Sequence, residues 1–149
     1  MRTDHAERHI AASPKVVYCA LTDRDMIQNW LPPQGARGQV DLFEPWPGGR
    51  FVMTLIFDQA GSGKTSDDTD AVAGEFLELV PDRLVRQRFT FQSDDPAFAG
   101  VMVMSWAITP MQTGTTLTVT AENVPAGIGA EDHRAAMASS LENLARLVE

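Results

Sequence analysis

Gly61-Ser62-Gly63-Lys64-Thr65 is the segment with the most overt chemical potential, because glycines free backbone N–H groups and a lysine meets phosphate charge. A phosphate loop requires a further glycine at position 58, where the chain has Asp58, and a helix after the threonine, where it has Ser66-Asp67-Asp68-Thr69-Asp70. A carboxylate there repels phosphate, so the segment is read as a hairpin loop. Asp67, Asp68 and Asp70 lack the alternating oxygen ligands, central glycine and distal glutamate of a calcium loop, and are read as a solvated acidic run. His5, Glu7 and His9 alternate onto one face of a first strand, where a solvent-facing polar edge is a better account than a metal site. For His133, near the start of the last helix, a helix-terminal hydrogen bond is the default reading, and an acid or base at a cavity mouth is the alternative. No Gly-x-Ser-x-Gly nucleophile turn occurs. The single cysteine, Cys19, excludes an internal disulfide and lies among Val16, Val17, Tyr18, Ala20 and Leu21, which reads as an inert core thiol. No cofactor or metal motif stands out.

These groups are carried by a chain of 149 residues, 44% hydrophobic and 21% charged, which fits one globular domain spanning residues 1–149. The formal net charge of −8, without a cluster of Lys and Arg, argues against nucleic acid as a partner. The N-terminal residues hold no apolar signal segment and no run is long enough to span a membrane, so a cytoplasmic protein is expected. Residues 3–12 read as a strand. Ser13-Pro14 then starts a helix to about Leu21, with serine as cap and proline at the first helical position. Thr22 with Asp25 resembles a capping box opening a second short helix through Trp30, which Pro32-Pro33 stops.

From residue 37 to 123 the apolar period is two. Strands are expected at Arg37–Glu44, Arg50–Phe57, Val72–Leu79, Leu84–Phe91, Val101–Ile108 and Thr116–Ala121, joined by short turns in an antiparallel meander. Met137, Leu141, Leu144 and Val148 then form one stripe of a long C-terminal helix, which has Glu131 and Asp132 in its first turn and Arg146 near its last. Among the residues on inward faces are Trp30, Phe51, Met53, Phe89, Met102, Met104, Trp106 and Met137. Position by position, core filling is the first account of such thioethers and aromatic rings, and lining a pocket for a floppy apolar guest is the second. Gln87 shares their parity. A lone inward amide suits the carbonyl or hydroxyl of a ligand, because leaving it unpaired is costly.

The order of elements, with its punctuation, resembles the SRPBCC superfamily, the helix-grip fold of the birch pollen allergen and START domains. More narrowly it looks like the bacterial branch related to the activator of heat shock protein 90 ATPase. The matching pieces are Ile10-Ala-Ala-Ser-Pro14, Trp30-Leu-Pro-Pro33, Pro47-Gly-Gly-Arg50, Gly74-Glu-Phe-Leu-Glu78, Ser93-Asp-Asp-Pro96 before a Met-rich strand, Thr118 to Pro125, and Glu131-Asp-His133. Members often carry Gly-Trp where this chain has Ala136-Met137, and commonly an arginine or a small polar residue where it has Trp46. The resemblance implies an α+β fold, a curved antiparallel sheet wrapped around the C-terminal helix, with a cavity between them. It also implies a non-catalytic protein binding a small hydrophobic or lipid-like molecule, with Trp30, Phe51, Met53, Gln87, Phe89, Met102, Met104, Trp106 and Met137 as its lining. Two other activities are implied by the same fold: an aromatase/cyclase or hydratase enzyme using His133 or Gln87, and a chaperone-regulating module. Homodimers are common in the superfamily, and the Trp46 turn is a candidate contact.

Overall fold

The structure is a computed structural model that describes residues 1–149. In chain order it runs β1 (Thr3–Ile10), α1 (Pro14–Thr22), α2 (Arg24–Trp30), β2 (Ala36–Phe43), β3 (Arg50–Phe57), β4 (Thr69–Val80), β5 (Leu84–Phe91), β6 (Met102–Pro110), β7 (Thr115–Glu122) and α3 (Ala130–Val148). The seven strands form one antiparallel sheet in the order β1-β7-β6-β5-β4-β3-β2, so β1 closes onto the last strand and every other neighbour is sequential. The sheet curves around α3, which is the expected helix-grip arrangement. No helix is long and apolar enough to cross a membrane.

Local sequence accounts for the elements. Ser13 accepts from the Val16 N–H at 3.3 Å and Pro14 occupies the first turn of α1. The cap of α2 is Asp23, whose carboxylate accepts from the Met26 N–H at 2.9 Å, and not Thr22. Thr22 belongs to α1, where its hydroxyl donates to the Tyr18 carbonyl, and an aspartate is a better acceptor at the extended cap position. Register shifts at Val40/Leu42 and Phe76/Glu78 add a residue to one strand of each pair, a feature that bends a sheet. Gly74 sits where no side chain fits, because the Phe89 ring and the Arg88 carbonyl occupy the space a Cβ would need.

The end of α2 clasps the middle of α3. The Asn143 amide donates to the Pro32 carbonyl at 3.0 Å and the Ser140 hydroxyl to the Leu31 carbonyl at 2.6 Å. Trp30 is fully buried, and its ring meets Trp106 edge-on, with centroids 5.3 Å apart. Cys19 is exposed, contrary to the core thiol expected for it. Val17, Ala20 and Leu21 supply the buried stripe of α1 at helical spacing, which turns Val16 and Cys19 outward.

Candidate functional site

Between the concave face of the sheet and α3 lies a cavity of about 630 Å³. Alternation along β3 sends Phe51, Met53, Leu55 and Phe57 into its wall, and β5 adds Gln87, Phe89 and Phe91. Met102, Met104 and Trp106 of β6 continue the wall, and Met137 of α3 faces them. Eight of the nine residues singled out in the sequence therefore border one space. Trp30 does not. It lies behind Trp106, with its indole N–H donating to the Ala20 carbonyl at 2.7 Å, as a wall support. The lining residues Leu55, Phe57 and Phe91 share the parity of their neighbours and were legible from it. Gly61, Ser62 and Asp132 line the cavity and are exposed, so it meets solvent at that end.

Apolar residues predominate on this lining, and among its polar groups Gln87, Lys64 and Asp70 have defined partners. The Trp106 indole N–H, which can only donate, approaches the Gln87 side chain at 3.1 Å and thereby fixes Oε1 as the acceptor. No hydrogen bond within the chain engages the Gln87 amide N–H₂, and this otherwise buried residue borders the cavity. Lys64 places both its backbone N–H and its ammonium on the Asp70 carboxylate, each at 2.6 Å. The ammonium lies 5.7 Å from the Phe57 ring centroid and 5.2 Å from that of Phe91. A carboxylate thus occupies the place a phosphate would take. Asp70 is buried under this lysine, which corrects the reading of it as solvated.

At the helix wall, His133 Nδ1 meets the Asp4 carboxylate at 2.8 Å, and Arg2 reaches the same oxygen at 3.1 Å. Asp4 was missed in the sequence because its partner is 129 residues away. The available signal was that it shares the inward parity of Ile10 on β1. Burial alone pushes the Asp4 carboxyl up, but the hydrogen bond from His133 and the Arg2 charge outweigh it and hold the group below its ordinary value. The sign follows from linkage. The stabilisation is complete above the unfolded carboxylate value of about 3.9 and is lost as pH falls through the lower native value. Asp4→Asn is expected to cost about 1.5–3 kcal/mol at neutral pH and to flatten this acid limb, as read by urea unfolding at a series of pH values. His5 and His9 point outward, His9 to the Thr113 carbonyl, and no group of three potential metal ligands exists.

The profile of the family described as Activator of Hsp90 ATPase homolog 1-like protein matches residues 11–149. No curated protein sequence matches the chain. Among solved structures, a protein from Chromobacterium violaceum is 31% identical, with 99% of this chain and 96% of that one covered and a TM-score of 0.87. An AHSA1 protein from Silicibacter pomeroyi is 18% identical, with coverage of 98% and 96% and a TM-score of 0.80, a likeness of fold. A protein from Rhodobacter sphaeroides is 19% identical over 97% of this chain and 90% of that one, also with a TM-score of 0.80.

Proposed function

This chain belongs to the Activator of Hsp90 ATPase homolog 1-like family, and from that premise we propose that it binds a small hydrophobic or lipid-like molecule between its sheet and its C-terminal helix. The observation that carries this reading is the cavity of about 630 Å³, apolar over most of its wall, with one oriented amide donor at Gln87. Small-molecule sites have volumes of about 300–1,000 Å³ and the same balance of apolar lining to a few placed polar groups. A well-packed core has few voids larger than a water molecule, so core filling alone does not call for this space. The Gln87 N–H₂ selects a guest with a carbonyl or hydroxyl oxygen, since an apolar guest would leave that donor unpaired at a cost of about 1–3 kcal/mol.

The family name refers to activation of a chaperone ATPase. A module acting by surface alone has no use for the hollow, which is why a guest molecule is the reading favoured here. Native mass spectrometry of protein purified from its own host tests it. A stoichiometric co-purifying oxygenated apolar molecule is expected. Protein that carries none, and that is not stabilised by any member of a panel of fatty acids and aryl ketones, would overturn it.

A further inference from the structure

The Asp4–His133 pair does more than the binding of an apolar guest requires. Asp4 is 2% exposed on β1 and accepts from His133 Nδ1–H of α3, which fixes the imidazole tautomer and leaves the Nε2 lone pair available. His133 lines the cavity, its side chain 13% exposed, and Nε2 has no partner within the chain. A tie between β1 and α3 alone would be equally served by a side chain that leaves no open ring nitrogen beside an apolar space. On the opposite wall the Gln87 amide is locked by Trp106 with its N–H₂ donor free. A fixed base and a fixed donor therefore open from two sides onto one guest volume.

We propose that His133, oriented by Asp4, takes a proton from a carbon beside the carbonyl of a guest held in this cavity, and that Gln87 donates to the carbonyl oxygen. The proposal rests on the cavity reading given above and extends it from carriage to proton-transfer chemistry on apolar ketones and related carbonyl compounds. In the step the C–H bond breaks and its proton bonds to Nε2. The electron pair forms a carbon–carbon double bond, and the carbonyl π pair becomes an enolate oxygen charge, met by the Gln87 N–H. Return of a proton from Nε2 to carbon restores the ketone, with no oxidant, reductant or cofactor consumed. His133 is the catalytic residue and Asp4 a positioning residue. The imidazole meets Asp4 of β1, whose carboxylate Arg2, just before that strand, also holds, and Asp132 of α3, Lys64 and Asp70 are the other charged groups on the cavity lining.

The test is hydrogen–deuterium exchange in D₂O at the carbons beside the carbonyl of phenylacetone, benzylacetone and dibenzyl ketone, measured by NMR at saturating ketone with the full chain. Wild type is expected to exchange at least one of them, and His133→Gln, which keeps a donor for Asp4 but no base, to lower the saturated rate by about 100-fold or more. Independently of that variant, the wild-type rate should depend on pH over a range in which the near-ultraviolet circular dichroism of the fold is unchanged. Asp4→Asn should lower the saturated rate and alter that pH profile, and a structural tie would do neither. Ketones that bind without exchange, or exchange that His133→Gln leaves intact, would overturn the dyad alone. Failure of every ketone and fatty acid to bind would overturn the cavity reading and the dyad with it.

Discussion

Truncation of Trp30 to alanine is expected to destabilise the protein by about 3–5 kcal/mol, a large share of the 5–15 kcal/mol that holds a typical domain together. Three losses combine. The fully buried indole leaves a void where the α1–α2 layer meets the sheet. The Ala20 carbonyl lies in the last turn of α1, where no helical N–H reaches it, and it loses the indole donor that satisfies it at 2.7 Å. Trp106 loses its edge-on neighbour and, with it, the backing for the cavity wall. Trp30→Phe separates these effects. It restores most of the volume but not the donor, and should cost about 1–3 kcal/mol. Urea unfolding reads both, as a lowered midpoint at unchanged slope. A loss below about 1 kcal/mol for the alanine variant would contradict this role and return Trp30 to the list of candidate ligand contacts.

Ala136→Trp is expected to abolish guest binding, with a loss of affinity of about 100-fold or more, equivalent to about 2.8 kcal/mol. Ala136 is a half-buried position of α3 that borders the cavity, next to Met137 and one turn from His133 and Ser140. An indole there occupies the space the guest needs without displacing a packed side chain. The cost to the fold should be little more than the difference in helix propensity, about 0.5 kcal/mol. The two tryptophan experiments thus pull apart stability and binding. Removing Trp30 weakens the fold, and adding an indole at position 136 blocks the space while the fold keeps its stability. A variant that still bound decanoic acid or benzylacetone as wild type does would place the guest elsewhere.

The sheet and the long helix were legible because burial on one face writes its period into the sequence. The strand Leu84–Phe91 was read to the residue, since Val85, Gln87 and Phe89 alternate with Arg86, Arg88 and Thr90 and a turn bounds it on the β4 side. β4 extends to Thr69 beyond its expected start at Val72, because Asp70 enters the strand only once Lys64 covers its charge. That compensation comes from a loop, and composition gives no sign of it. Eight of the nine candidate residues border the cavity because parity tells which way a strand residue points. It does not tell how deep a residue lies, and Trp30 points inward yet stops behind Trp106. The Asp4–His133 contact depends on β1 pairing with β7 and on α3 packing over it, a closure between chain ends that no local pattern encodes.

The chain's methionines supply the most direct test of the guest-binding hollow. Met53, Met102, Met104 and Met137 line the cavity, whereas Met1 and Met111 are exposed, at 90% and 49%. With carbon-13 in the methionine methyl groups, titration of decanoic acid and benzylacetone into the wild-type protein should shift the four cavity resonances together and saturably, leave those of Met1 and Met111 in place, and produce no such change in Ala136→Trp. Cavity resonances that stay fixed across the titration of both compounds, or shifts confined to Met1 and Met111, would contradict the account.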